Sequence, residues 1–116
     1  MCACHRTPLL VSGRIEIAPE PSVFRFAEPV PIVGPGWETC FEFNIPGDSH
    51  EAGGIGAVLV DTQGVRHALT SVELDRRGES VVCHVGSLSA GAVTLEAVEL
   101  SARTPMRLRA IRGRSF

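Results

Sequence analysis

The sequence predicts an all-β protein, a two-sheet antiparallel β-sandwich or jelly roll of about eight short strands. Three observations carry this. Glycine and proline, 12 and 8 of the 116 residues, interrupt the chain at short, fairly even intervals. No window keeps its apolar residues at the 3.6-residue period of a helix. Between the interruptions apolar and polar residues alternate, as in strands with one face buried and one solvated. A chain of this length makes one domain, and its half-buried strands are best resolved by packing sheet on sheet. A small closed barrel is the alternative.

Val11 to Ala18 sets Ile15 and Ile17 against Arg14 and Glu16 until Pro19 and Pro21 stop the run, which predicts a first strand at a sheet edge. Ser22 to Phe26 turns Phe24 and Phe26 inward and Arg25 outward, and Pro29, Pro31 and Pro35 then allow only an extended, poorly bonded edge path. Trp37 to Ile45 alternates most clearly, with Thr39, Phe41, Phe43 and Ile45 on a core face and Glu38, Cys40, Glu42 and Asn44 on a wet one. Pro46 to Gly56 reads as a long glycine-rich loop, Ala57 to Val60 as a short strand covered on both faces, and Asp61 to Gly64 as a turn. Val65 to Leu74 is extended, but Leu69 is out of phase with Val72 and Leu74, which predicts a bulge near Thr70 or Ser71.

Asp75 to Gly78 is another turn, and Glu79 to Val85 places Val81, Cys83 and Val85 opposite Val82 and His84. After a loop at Leu88 to Gly91, Ala92 to Leu100 changes parity between Leu95 and Val98, the mark of a bulge or a change of sheet. Pro105 ends that run. Met106, Leu108 and Ala110 then alternate with Arg107 and Arg109 in a last strand. The expected core is Phe24, Phe26, Phe41, Phe43, Ile45, Val58, Val60, Val81, Val93 and Leu95, each worth roughly 1.5–3 kcal/mol on burial before chain entropy is subtracted. The expected domain spans 11–112, with 1–10 a loosely ordered N-terminal segment and 113–116 a C-terminal tail.

A hydrophobic content of 44% and a charged content of 21% exclude disorder along the whole chain, and no apolar run approaches the roughly 20 residues of a membrane helix. The N-terminal Met-Cys-Ala-Cys-His-Arg-Thr-Pro has no charged stretch followed by an apolar core and no small-residue cleavage site. Reduced cysteines and a cytoplasmic location are the default expectation. All 11 basic residues are arginine, whose planar fork suits bidentate pairing with carboxylates or phosphates. All 13 acids lie at or before Glu99, whereas Arg103, Arg107, Arg109, Arg112 and Arg114 all follow it. A pI near 6.1 and the absence of tyrosine disfavour nucleic acid as a partner.

Four groups of residues carry candidate chemistry. The loop from Pro46 to Gly54 gathers Asp48, Ser49, His50 and Glu51, which suit sugar hydroxyls or a hard cation, or serve only as turn formers. Adjacency of Asp48, Ser49 and His50 makes no hydrolase triad, because triad side chains must converge. Arg107 and Arg109 share a strand face about 7 Å apart and suit an acidic ligand or partner, or internal pairing with acids such as Glu96 or Glu99. Trp37 shares the parity of the core; exposed, it is the one indole able to stack on a sugar. Cys2, Cys4 and His5 offer soft metal ligands that Cys40, Cys83, His50, His67 or His84 would have to complete, without the usual Cys-x2-Cys or His-x3-His spacing. Histidines two apart, which a cupin metal site needs, do not occur, and Trp37 precedes both Cys40 and Cys83, which excludes the immunoglobulin pin.

Phe41-Glu-Phe-Asn-Ile45, Gly56-Ala-Val-Leu-Val-Asp-Thr-Gln-Gly64 and Gly91-Ala-Val-Thr-Leu-Glu-Ala-Val-Glu-Leu100 together resemble small bacterial sandwich domains of the carbohydrate-binding-module type. The resemblance covers about three-quarters of the chain as strand grammar and carries no site residue over to a numbered position. It implies a jelly roll and a non-catalytic module that recognises a glycan or similar polar ligand through loop groups and an edge strand. The alternative is a structural domain that self-associates or docks on a protein through the arginine-rich last strand and the proline-rich edge. A metal-dependent enzyme using the loop of Asp48 and Glu51 with His67 or His84 is a further alternative. Nothing in the residues requires turnover or a cofactor.

Overall fold

The computed structural model describes residues 7–88 and 94–116. Among them are nine strands: β1 (Leu9–Ile17), β2 (Ser22–Pro31), β3 (Gly36–Phe43), β4 (Ile55–Asp61), β5 (Arg66–Ala68), β6 (Thr70–Arg76), β7 (Val81–Ser87), β8 (Thr94–Ala102) and β9 (Met106–Ser115). A 3-10 segment, Pro46–Gly54, joins β3 to β4. The strands form a five-stranded sheet in the order β1-β9-β3-β7-β6 and a four-stranded sheet in the order β2-β8-β4-β5, with antiparallel pairing throughout. With β6 set aside, the orders 1-9-3-7 and 2-8-4-5 are those of a jelly roll. The predicted fold class is thus the observed one.

The core lies between the sheets and comes mainly from their central strands. Trp37, Phe41 and Phe43 of β3, Leu108 and Ile111 of β9, and Leu95, Val98 and Leu100 of β8 are almost completely buried, with Ile15, Ile17 and Leu59 beside them. Gly113 in β9 makes room for this packing. A Cβ there would lie 2.7 Å from Leu10 Cδ1, 2.9 Å from Trp37 Cζ2 and 3.0 Å from the Glu38 carbonyl oxygen.

Both parity breaks in the sequence are irregularities of the sheets. Leu69 lies where the chain crosses from β5 in one sheet to β6 in the other, and Ser71, just beyond, has φ 54° beside a register shift between Thr70 and Glu73. In β8 the register shifts between Ala97 and Leu95, opposite Val60 and Asp61.

Several expectations are corrected. Ile45 is 61% exposed, because β3 ends at Phe43 and the chain turns into the 3-10 segment. In β4 the core position belongs to Leu59, and Val58 and Val60 are half-buried. In β7 it belongs to Val82 and His84, with Val81 half-buried, because Val82 pairs with Phe41 and His84 with Thr39, and directly paired residues share a sheet face. Phe24 is half-buried against the core, and Val93 lies outside the described residues. The sandwich also reaches beyond 11–112. Leu10 is buried, the Gly113 N–H donates to the Pro8 carbonyl at 3.0 Å, and Phe116 exchanges backbone hydrogen bonds with Gly36.

Candidate functional site

The 3-10 segment begins with Pro46, whose missing N–H costs nothing in a first turn, and it packs against β3 and β7. Between the segment and the end of β6 is a cleft of about 410 Å³, lined by Pro46, Gly47, Ser49, His50, Arg76 and Glu79 among others. Ser49 is buried and gives its carbonyl to the Arg76 guanidinium at 3.3 Å. Arg76 forms no ion pair with a carboxylate among the described residues. His50 and Glu79 are exposed at the rim. Of the expected loop residues Ser49 and His50 line this cleft; Asp48 is half-buried and Glu51 exposed, and both stand outside it. Arg76 and Glu79 were hidden in sequence by the turn signal of Asp75 to Gly78, where the Arg76-Arg77 doublet was the one available clue.

The outer face of the five-stranded sheet carries a ladder of charge. Glu38 is buried, and its carboxylate accepts from Thr7 Oγ1 at 3.1 Å, from Arg114 Nε at 3.3 Å and from Arg77 Nη2. Glu42 receives Arg109 Nε at 3.3 Å and Arg112 Nε, while Arg107 Nε reaches Glu16 at 3.3 Å. Arg107 and Arg109 therefore pair internally as one reading expected, but with acids of β1 and β3. Their strand lies between those two, whereas Glu96 and Glu99 belong to the other sheet. The pKa of Arg77 is raised, first by its hydrogen bond to Asp75 and also by Glu38, against an opposing effect of burial.

Cys40 and Cys83 sit directly opposite each other on β3 and β7, with Cα atoms 4.0 Å apart, and are joined as a disulfide on this same outer face. This corrects the expectation of reduced thiols for these two. Glu38 places a carboxylate oxygen within 4.8 Å of both sulfurs, but the sulfurs are bonded to each other and the carboxylate is held by three donors. Among the described residues no histidine joins a ligating cluster of three, and Cys2, Cys4 and His5 lie outside them.

Trp37 is fully buried, and its Nε1–H donates to Thr39 Oγ1 at 2.6 Å. The indole is a core element and offers no platform to a sugar. Phe116 is half exposed, with the Arg114 guanidinium 5.4 Å from its ring centre.

Two buried imidazoles complete the polar inventory. His67 Nε2 lies 2.8 Å from Asp61 Oδ2, and Asp61 Oδ1 accepts the N–H groups of Gln63 and Val65, which locks the β4–β5 turn. The His67 hydrogen bond and these backbone donors hold the Asp61 carboxyl below its ordinary pKa, against burial, which pushes it up. His84 donates from Nε2 to the Ala52 carbonyl at 3.2 Å and meets the Phe41 ring edge-on at 4.9 Å. Burial lowers its pKa.

No protein-family model matches the chain, and no curated protein and no solved structure is significantly similar to it. No helix among the described residues is long and apolar enough to cross a membrane.

Proposed function

We propose that the protein is a non-catalytic recognition domain that holds a glycan or a similar polar ligand in the cleft between the 3-10 segment and the β6 edge. The observation that carries this reading is Arg76, a guanidinium in the cleft with one donor spent on a carbonyl and no carboxylate partner among the described residues. Its remaining N–H groups, the Glu79 carboxylate and the His50 ring mix donors and acceptors as vicinal hydroxyls require. Binding groups on a loop over a rigid sandwich fit a recognition role. With Trp37 buried, affinity comes from hydrogen bonds instead of stacking. The Cys40–Cys83 disulfide favours an oxidising compartment over the cytoplasmic default.

A second reading, docking on a protein or on another copy, draws support from β6, an edge strand on which every residue is exposed. The arginine-rich last strand supports it less, because Arg107, Arg109, Arg112 and Arg114 already face carboxylates of their own chain.

Thermal unfolding at two protein concentrations, against neutral sugars, acidic glycans and nucleotides, tests both readings. A ligand at about 100 times its Kd adds about 2.7 kcal/mol and raises Tm by several degrees. The Arg76→Ala variant should lose that rise while keeping the unliganded Tm. A flat panel with a midpoint that climbs with protein concentration would replace the glycan reading with docking.

A further inference from the structure

A second cleft of different chemistry adjoins the first. The five-stranded sheet has one strand more than its partner, and β6 is the overhang. Leu74 and Arg76 pair with His84 and Val82, whose side chains point into the sandwich, so they and Val72 share the inward face of β6. Arg76 lines the polar cleft. Val72 and Leu74 remain 46% and 47% exposed because no strand lies opposite them. They line an opening of about 410 Å³ between the sheets, closed by Ile55 and Ala57 of β4, by Leu69 and by His84.

His84 gives this apolar opening one polar contact. With Nε2–H donating to Ala52, Nδ1 of the neutral ring is an acceptor. Among the described residues Nδ1 has no hydrogen-bond partner, and no fully buried side-chain nitrogen or oxygen is left without one. Nδ1 therefore keeps a small exposure, on a residue that is 5% exposed overall and lines the cleft. A mainly apolar cavity of a few hundred Å³ with a single placed acceptor is the usual form of a small-molecule site.

We propose that this cleft binds a small, mainly apolar molecule with one hydrogen-bond donor, an aliphatic alcohol or a phenol, its hydroxyl on His84 Nδ1 and its hydrocarbon against Ala57, Leu69, Val72 and Leu74. The site is separate from the polar cleft and does not rest on the glycan reading.

The test is an NMR titration of the full chain with 1-hexanol and with the methyl ether of 1-hexanol, which has no donor. Hexanol should give saturable shifts at Ala57, Val72, Leu74 and His84. The ether should bind about five- to tenfold more weakly, the worth of one neutral hydrogen bond. A Cβ on Gly53 meets Leu74 Cδ1 at 3.7 Å, an ordinary contact, so Gly53→Val sends its side chain toward Leu74 at the cleft and should weaken hexanol about tenfold. His84→Phe keeps a ring beside Phe41 and should abolish the preference for alcohol over ether. Equal affinity for the two probes in the parent chain, an absence of saturable shifts, or unchanged hexanol binding in Gly53→Val would overturn the proposal. So would a concentration-dependent doubling of mass that moves the same resonances without hexanol, because a second copy would then occupy the cleft.

Discussion

Replacing Glu38 by glutamine keeps the shape of the side chain and removes its charge from a place where only 3% of it meets water. Three donors converge there, and the two that carry charge belong to Arg77 and Arg114, whose side chains are 38% and 49% exposed. A hydrogen bond to a charged group is worth about 1.5–3 kcal/mol when both partners are buried. Partial solvation of the guanidiniums reduces each to about 1 kcal/mol, since water and Asp75 replace part of what is lost. Together with the weakened Thr7 contact, Glu38→Gln should cost about 2–3 kcal/mol, a fall in Tm of about 8–12 °C for a domain of this size. Urea unfolding measures the loss, and double-mutant cycles with Arg77→Met and Arg114→Met should each return a coupling near 1 kcal/mol. The half-buried Glu99, whose partner Arg66 is 58% exposed, is the control, and Glu99→Gln should change less than Glu38→Gln. A Glu38→Gln chain within about 0.5 kcal/mol of the parent at unchanged m-value, or coupling near zero, would refute the idea that the guanidiniums hold this carboxylate in place.

Reducing the disulfide, or replacing Cys40 and Cys83 together by alanine, frees a loop of sequence separation 43 and should lower stability by about 2–4 kcal/mol; a urea-derived loss below about 1 kcal/mol would count against a native cross-link. Asp61 has a folded pKa below its ordinary 3.8, so the unfolded chain binds that proton more tightly. Its contribution is complete above about pH 4 and is lost as pH falls through the folded value, so Asp61→Asn should flatten the acid limb of a Tm-against-pH curve. His84, held below 6.5 by burial, gives stability that falls as pH drops below 6.5, and His84→Phe should remove that slope while leaving the Asp61 limb intact. Gly113→Ala forces a methyl against the fully buried indole of Trp37 and should cost about 1–3 kcal/mol by chemical denaturation, whereas a neutral result would mean that β9 shifts freely there.

What the sequence disclosed, it disclosed through period and punctuation. Phe41 and Phe43 alternate with charge and occupy the core, and the misphased Leu69 announced the irregularity that the chain makes at Ser71. In β7 the rule ran out, because Val81, Val82, Cys83 and Val85 make both faces apolar and only the pairing with Phe41 and Thr39 selects one. Burial of Glu38 was hidden for a related reason: the arginines that cover it come from β9 and from the turn after β6, which are brought together by strand order alone. The same holds for Cys40 with Cys83 and for Arg109 with Glu42. At the candidate site His50 was legible as a polar residue on a glycine-rich loop. Arg76 was not, because its position depends on β6 being an overhanging edge.

The insertion of β9 between β1 and β3 has a consequence for synthesis. Leu9 pairs with Arg112, so the first strand described has no neighbour in its sheet until the last one has been made. While residues 106–115 are still in the ribosome, β3 has one long edge open and the indole of Trp37 lacks the strand that covers it. Pairings of such long range form slowly, in milliseconds to seconds, and leave apolar edges exposed in the meantime. A chain without residues 107–116 lacks the second strand of a five-stranded sheet, and a nascent chain stalled before them is the species that a chaperone would have to hold.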